Sequence, residues 1–204
     1  MHNKMRNKKN VGIFIFDSVE ILDFAGPYEV FSSTRLVKKS QSNISKLPNP
    51  LNVFTISEKK KNIKTIGDLS VKSTYTFKDA PKLNVLIVPG GLGTRKIIKN
   101  NNVINWINSN KKIEMLASVC TGALLLGKAG LLKNRKATTH WGALKLLKEI
   151  SPSTKVINKK KFVFDAYYTS AGVSAGIDMS LDIVRHFFGK TIAKNTAKFM
   201  EYNY

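Results

Sequence analysis

Acidic side chains are scarce in this chain: 13 Asp and Glu stand against 34 Lys and Arg, a formal net charge of +21 over 204 residues. Cysteine is scarcer still, with Cys120 alone, and there are three histidines. A single cysteine cannot close an intramolecular disulfide, which fits a reducing compartment and a cytoplasmic location. One cysteine and three scattered histidines give no metal-ligand spacing, so neither metal nor cofactor is expected. No apolar run approaches the roughly 18–20 residues of a membrane-spanning helix. Residues 1–10 are basic but lack the apolar stretch of a secretory signal, and read as a flexible arm. The remainder, 11–204, has no internal repeat and no linker, and is long enough for one α/β domain with a sizeable core.

The positive charge raises the question of a polyanionic partner, nucleic acid or an anionic membrane surface. The lysines are spread through loops and outer faces, as in Lys38-Lys39, Lys59-Lys60-Lys61, Lys111-Lys112 and Lys159-Lys160-Lys161. No aromatic residues are interleaved with them to stack on bases, and no zinc-finger or RNP-type pattern occurs. A lysine-rich solvated surface is therefore favoured over nucleic-acid binding.

At 43% hydrophobic and 23% charged residues the composition is globular, and the pattern alternates strands with helices. Val11-Gly12-Ile13-Phe14-Ile15-Phe16 reads as a buried parallel strand, followed by a turn and a helix opening at Leu22 with Pro27 in its first turn. A polar loop over 38–50 leads to a strand over 51–56. The stretch 64–77 suggests short strands or a hairpin. Val85-Leu86-Ile87-Val88 is a buried strand ending in Pro89-Gly90-Gly91, and one helix is expected to carry Ile97, Ile98, Val103, Ile104, Trp106 and Ile107. Residues 113–119 form the next strand, followed by a helix to Gly127–Gly130. A short strand over 136–139 precedes His140-Trp141 and a helix through Leu147. Strands are expected over 155–157 and 162–169, then helices over 174–188 and 191–202. Such alternation implies a mostly parallel sheet covered by helices on both faces.

Cys120 lies where the strand 113–119 runs into the helix that begins Thr121-Gly122-Ala123. Ser118 and Gly122, two residues to either side, are small enough for the sharp strand–turn–helix corner of a nucleophile elbow. A thiol at a helix N-terminus is favoured as thiolate by the dipole and the free N–H groups. The competing reading is a buried cysteine acting as a small hydrophobe.

Ligands of parallel α/β sheets collect outside the carboxyl ends of the strands. Four loops should meet there: the one carrying Asp23, the Pro89-Gly90-Gly91 turn, the Cys120 corner and the His140-Trp141 turn. Each residue also has a purely structural reading. Asp23 suits a helix cap, Gly90-Gly91 a plain turn, and His140 a core hydrogen bond. Asp178 suits the ordering of a loop below the site, and Glu20 is a rival to Asp23 as acid. His2 and His186 are expected to be structural or exposed.

The blocks Leu22-Asp23-Phe24-Ala25-Gly26-Pro27, Val88-Pro89-Gly90-Gly91, Ser118-Val119-Cys120-Thr121-Gly122, Ala137-Thr138-Thr139-His140-Trp141 and Ser174-Ala175-Gly176-Ile177-Asp178 resemble the ThiJ/PfpI superfamily of class I glutamine amidotransferase-like domains. They follow that family's order and spacing from about Val11 to Phe188. The first and fourth blocks look most like isonitrile hydratase and the ligand-sensing halves of AraC-type regulators. Those regulators add a helix-turn-helix domain, which is not expected in a chain that stops at Tyr204. The resemblance implies a flavodoxin-like α/β fold, a homodimer and a small-molecule substrate. It also implies Cys120 as nucleophile, Asp23 as its acid, and Thr121 contributing its N–H and hydroxyl. Gly90 and Gly91 would lend N–H groups to an anion-stabilising pocket, and Ala171 and Gly172 would line its wall. His140 would stand near the thiol. Pocket walls are expected near Phe24, Trp141, Ala171 and Val173.

Hydrating an isonitrile to a formamide needs a nucleophile and a proton at the same terminal carbon, which a thiol and a carboxylic acid can supply. The leading expectation is therefore an isonitrile hydratase-like hydro-lyase. Two alternatives stand beside it. One is glyoxalase- or deglycase-like chemistry on reactive carbonyls, against which Asp23 in place of the glutamate common in such relatives counts. The other is a non-enzymatic ligand- or redox-sensing module.

Overall fold

Strands whose residues are apolar without alternation are buried on both faces, and here they form the middle of the sheet. The computed structural model describes residues 8–37, 47–59 and 62–204. Its main sheet has seven strands. β1 (Lys9–Phe14) lies between β2 (Leu51–Ser57) and β6 (Val85–Val88), parallel to both. β6 pairs in parallel with β7 (Met115–Val119), and β7 with β11 (Tyr168–Ser170). The edges are β5 (Tyr75–Thr76), parallel to β2, and β10 (Phe162–Phe164), antiparallel to β11. Every residue of β6 and β7 is buried. β3 (Asn62–Lys64) and β4 (Ser70–Lys72) form a separate antiparallel pair, and β8 (Lys136–Ala137) and β9 (Lys155–Val156) a separate parallel one.

Helices cover both faces. α1 (Ile21–Ser33) packs with α6 (Ala175–Phe188) and α7 (Lys190–Phe199), while α3 (Asn101–Ser109), α4 (Gly122–Lys128) and α5 (Leu144–Ile150) pack in succession. The chain leaves β1 toward β2 and leaves β6 toward β7, in opposite directions along the sheet. Right-handed crossovers then place α1 and α3 on opposite faces. The result is a mostly parallel, flavodoxin-like α/β fold. Its switch point, where the chain turns from one direction to the other, lies between the carboxyl ends of β1 and β6. No helix among the described residues is long and apolar enough to cross a membrane.

Four local expectations change. β1 starts at Lys9, so two residues assigned to the arm belong to the sheet, with Lys9 N–H bonded to Pro50 O at 3.1 Å. Residues 1–7, like the 38–46 part of the expected loop, lie outside the described residues. The single helix after β6 is two, α2 (Thr94–Ile97) and α3. They are separated because Asn100 takes an extended backbone and its side chain accepts the Asn102 N–H at 3.0 Å, an N-cap that starts a new helix. The expected strand over 162–169 is a hairpin, β10 and β11, closed where Asp165 N–H meets Tyr167 O. Pro27 lies well inside α1, where it removes the N–H that would bond the Asp23 carbonyl.

The corner at Cys120 depends on how closely β6 and α4 approach. A Cβ on Gly122 would fall 2.0 Å from Val88 O and 2.9 Å from Pro89 O, both backbone atoms with no freedom to move aside. Gly122→Ala should therefore cost about 3 kcal/mol or more, the upper end of overpacking penalties. Urea unfolding of the two proteins checks this, and an alanine variant of native stability would contradict it.

Candidate active site

The carboxyl ends of β1, β6, β7 and β11 bring four turns together around one sulfur. Cys120, between β7 and α4, has φ +55°, a left-handed conformation that a non-glycine residue adopts at some cost. Two bonds hold it there. Its N–H donates to Ser170 O at 3.1 Å, and its carbonyl accepts the Thr139 hydroxyl at 2.8 Å. Cys120 as a whole is 6% exposed.

Asp23 sits in the first turn of α1 at 0% exposure, and it does not cap that helix. Glu20 occupies the N-cap position without a side-chain capping bond. The Asp23 carboxyl instead reaches across to the next crossover, where Oδ2 accepts the Gly90 N–H at 2.9 Å. Oδ1 has no hydrogen bond of full geometry. The Cys120 thiol and the Val173 N–H are the further neighbours that favour its charged form. Burial outweighs all three donors, and with the nearby charge of Glu20 it pushes the Asp23 pKa up to about 7. The charge of Glu20, expected as a rival acid, is among the causes that raise the Asp23 pKa.

The surroundings of the sulfur oppose the thiolate expected from its place at a helix N-terminus. Burial, followed by the Asp23 charge, pushes the Cys120 pKa up to about 12, and the Thr121 N–H and hydroxyl offset only part of this. A helix dipole contributes roughly 0.3–1 kcal/mol near the surface, too little to compensate desolvation and a neighbouring carboxylate. Near neutrality the pair therefore keeps a proton on sulfur, and the carboxyl is the first of the two to ionise.

The Gly90-Gly91 turn serves this pair from behind. A Cβ on Gly90 would fall 2.5 Å from Thr121 N and 2.9 Å from Asp23 Oδ2, and Gly91 takes φ +127°. Both amides are engaged within the site: Gly90 N–H on Asp23, and Gly91 N–H on Thr121 Oγ1 at 3.0 Å. Neither is free to hold a substrate anion, contrary to expectation. The N–H that does act on the sulfur is that of Thr121. Thr94, which sequence reasoning passed over, completes the cluster with its hydroxyl 2.7 Å from Gly91 O and 3.2 Å from Thr121 Oγ1.

His140 follows β8, outside the main sheet. Its Nδ1 accepts the Gly142 N–H at 3.2 Å, which leaves the proton of the neutral ring on Nε2. Among the described residues no hydrogen bond joins it to Cys120. Gly172 separates the two: a Cβ there would lie 2.9 Å from His140 Cδ2 and 3.9 Å from Cys120 Sγ. Val173 takes φ +35°, unusual for a β-branched residue, as its N–H turns toward Asp23. Sequence reasoning had placed Val173 only as a wall. Asp178 accepts from Lys161 Nζ at 3.1 Å and from the Tyr202 hydroxyl at 3.0 Å, tying the β9–β10 loop to the C-terminal segment.

A cavity of about 490 Å³ opens beside the thiol, with His140, Trp141, Lys159, Ala171, Gly172 and Val173 in its wall. Phe24, expected there, is buried in the core instead. A second cavity of about 400 Å³, lined by Phe16, Asp17, Glu58, Lys96 and Asn100, holds none of the groups at the sulfur. No cluster of three or more His, Cys, Asp or Glu that could hold a metal occurs among the described residues.

Residues 9–186 match the DJ-1/PfpI family. The chain belongs to that family. Within it, the chain is 32% identical over 194 residues to the isonitrile hydratase of Pseudomonas putida, an alignment covering 94% of this chain and 78% of that protein. It is 21% identical over 188 residues to the HTH-type transcriptional regulator GbdR of Pseudomonas aeruginosa, of whose length it spans 49%. Among solved structures, a ThiJ/PfpI family protein from Pseudomonas syringae superposes with a TM-score of 0.84 at 26% identity, covering 99% of this chain and 79% of that one. An AraC family transcriptional regulator from Pseudomonas putida shares the fold, with a TM-score of 0.79 at 19% identity, covering 94% and 99%. The DJ-1/PfpI fold thus occurs in the relatives both as an enzyme and as part of regulators.

The raised pKa of Asp23 carries a consequence for stability. A carboxyl whose folded pKa lies near 7 and whose unfolded pKa lies near 3.8 binds more protons when folded, so its stabilising contribution is complete below about pH 4 and is lost as pH rises through 7. Asp23→Asn should therefore be more stable than the native protein at pH 8 by a few kcal/mol, with the gap closing at pH 4. Denaturant melts at the two pH values read this directly. A variant destabilised at pH 8 would show that the carboxylate is not penalised by burial.

Proposed function

We propose that this DJ-1/PfpI protein hydrates isonitriles to N-substituted formamides, with Cys120 as nucleophile and Asp23 as proton shuttle. The observation that carries the reading is the buried pair itself, a thiol beside a carboxyl with no solvent exposure, each made harder to ionise by burial. A base poised near the working pH is the form proton transfer favours. The 32% identity to an isonitrile hydratase supports the same reading.

In the first step the sulfur attacks the terminal carbon while Asp23 takes the thiol proton and delivers it to that same carbon, leaving a thioimidate, R–N=CH–S–Cys. The Thr121 N–H, which faces the sulfur, favours the developing negative charge on it. Asp23 then draws a proton from water as its oxygen adds to the carbon, and passes that proton to the nitrogen. Collapse of the resulting R–NH–CH(OH)–S–Cys breaks the C–S bond, and the hydroxyl proton returns to sulfur as R–NH–CHO leaves. One water is consumed and both residues are regenerated. His140 is not required as a base in this sequence; with its proton on Nε2 it is a donor at the cavity wall.

Turnover of a simple alkyl isonitrile, followed as formamide, tests the proposal. Cys120→Ala should abolish it, and Asp23→Asn should lower kcat/KM by about 10²-fold or more. Because the shuttle must start as carboxylate, kcat/KM should rise with pH through about 7 in the native protein and be flat there in Asp23→Asn. Full turnover in Asp23→Asn would remove the shuttle, and no turnover by folded, reduced protein would remove the reaction. The similarity to GbdR supports a second reading, a ligand sensor without turnover. Failure with both isonitriles and methylglyoxal would favour it. The proposal takes the protein to be a cytoplasmic homodimer acting on a small molecule.

A further inference from the structure

The cavity beside Cys120 is walled on one side by consecutive residues of the loop between β9 and β10, namely Asn158, Lys159, Lys160 and Lys161. This loop is held against the site. Lys161 O accepts the Ala171 N–H at 2.8 Å, and Lys159 takes φ +58° with its N–H on the Asn158 side chain at 2.7 Å. Of the three ammonium groups, Lys161 is paired with Asp178 at 3.1 Å. Lys159 and Lys160 are exposed and form no ion pair among the described residues. No Asp or Glu lines this cavity. The 400 Å³ cavity differs in this respect, since Asp17 and Glu58 lie in its wall with Lys59, Lys96 and Lys99. Trp141, also in the wall, is 79% exposed, with the His140 ring 5.2 Å away. The cavity therefore offers an aromatic side chain and two unneutralised cations in its wall, with the Cys120 sulfur lying just behind Gly172.

We propose that the substrate is an organic anion, a molecule whose reactive carbon meets Cys120 while a carboxylate at its far end is held by Lys159 and Lys160. This rests on the reading of Cys120 as nucleophile, and within that reading it names the substrate class. A flexible ammonium is a strongly hydrated point charge suited to a carboxylate without demanding one fixed orientation. Two solvent-exposed pairs of this kind together amount to about tenfold in selectivity, and the effect falls with added salt.

The test compares an ω-isocyano alkanoate with its methyl ester as substrates of the native protein, of Lys159→Gln/Lys160→Gln, and of Lys111→Gln/Lys112→Gln. The last pair of lysines is exposed at the opposite, amino end of β7 and makes the same change in net charge. The native protein should favour the carboxylate by about tenfold in kcat/KM at low salt. The first variant should lose most of that preference and the second should keep it. Equal turnover of acid and ester, or an equal loss in both variants, overturns the proposal. The second of those results would assign any preference to the overall +21 charge.

Cys120 is the only cysteine, so its alkylation gives a second readout that needs no hydratase activity. The ratio of iodoacetate to iodoacetamide rates, taken relative to the unfolded chain, should be raised in the native protein and lowered in Lys159→Gln/Lys160→Gln alone. If no isonitrile turns over but this ratio behaves as stated, the hydratase reading fails and the anion-selective cavity stands. An unchanged ratio overturns the cavity.

Discussion

A carboxyl group with no solvent exposure and one full hydrogen bond cannot ionise as it would in water, and a thiol buried beside it meets the same resistance. Asp23 and Cys120 are therefore one unit with room for one negative charge between them. The charge rests on Asp23, because a carboxyl is intrinsically a much stronger acid than a thiol and the site raises both by a similar amount. The proton rests on sulfur. What this site can do follows from that distribution: the nucleophile gains its reactivity during the reaction, as the carboxylate takes its proton, and not before.

Holding this pair requires two backbones to come closer than side chains allow. Gly90 lets the turn after β6 touch both Thr121 and Asp23, and Gly122 lets α4 begin against the end of β6. Cys120 and Val173 carry left-handed conformations as the turns after β7 and β11 bend toward the same carboxyl. Strain of this kind persists only where the surroundings determine it. Here they are the Ser170, Thr139 and Thr121 hydrogen bonds and the fully buried strands beneath. Pro27 adds a local consequence, freeing the Asp23 carbonyl from the helix ladder in the same turn that delivers the carboxyl.

Much of this was legible in the sequence because the central strands are apolar without alternation. That pattern located β1, β6 and β7, and with them the end of the sheet where the four turns meet. The corner at Cys120 was legible from small residues at fixed distances from it. Features that depend on which backbone group meets which side chain were not. Asp23 in a first turn looks the same whether it caps its own helix or crosses to Gly90. The amides of Gly90 and Gly91 look available until Asp23 and Thr121 are seen to occupy them. A helix N-terminus, which favours a thiolate, is visible in sequence, whereas the burial and the carboxylate from another crossover that oppose it are not. The break at Asn100 is hidden in the sequence because the apolar spacing continues across it, and only the capping geometry shows where one helix stops.

The most direct test is the ionisation of Cys120 itself, followed by carbon-13 NMR of a Cβ-labelled cysteine, which gives one resonance in a chain with one cysteine. The native protein should remain in the thiol form well above pH 9, and Asp23→Asn should bring the transition down by at least about one pH unit, as removal of a neighbouring negative charge requires. A thiolate already present at pH 7, or a transition indifferent to Asp23→Asn, would contradict the account of a single proton held between sulfur and carboxyl.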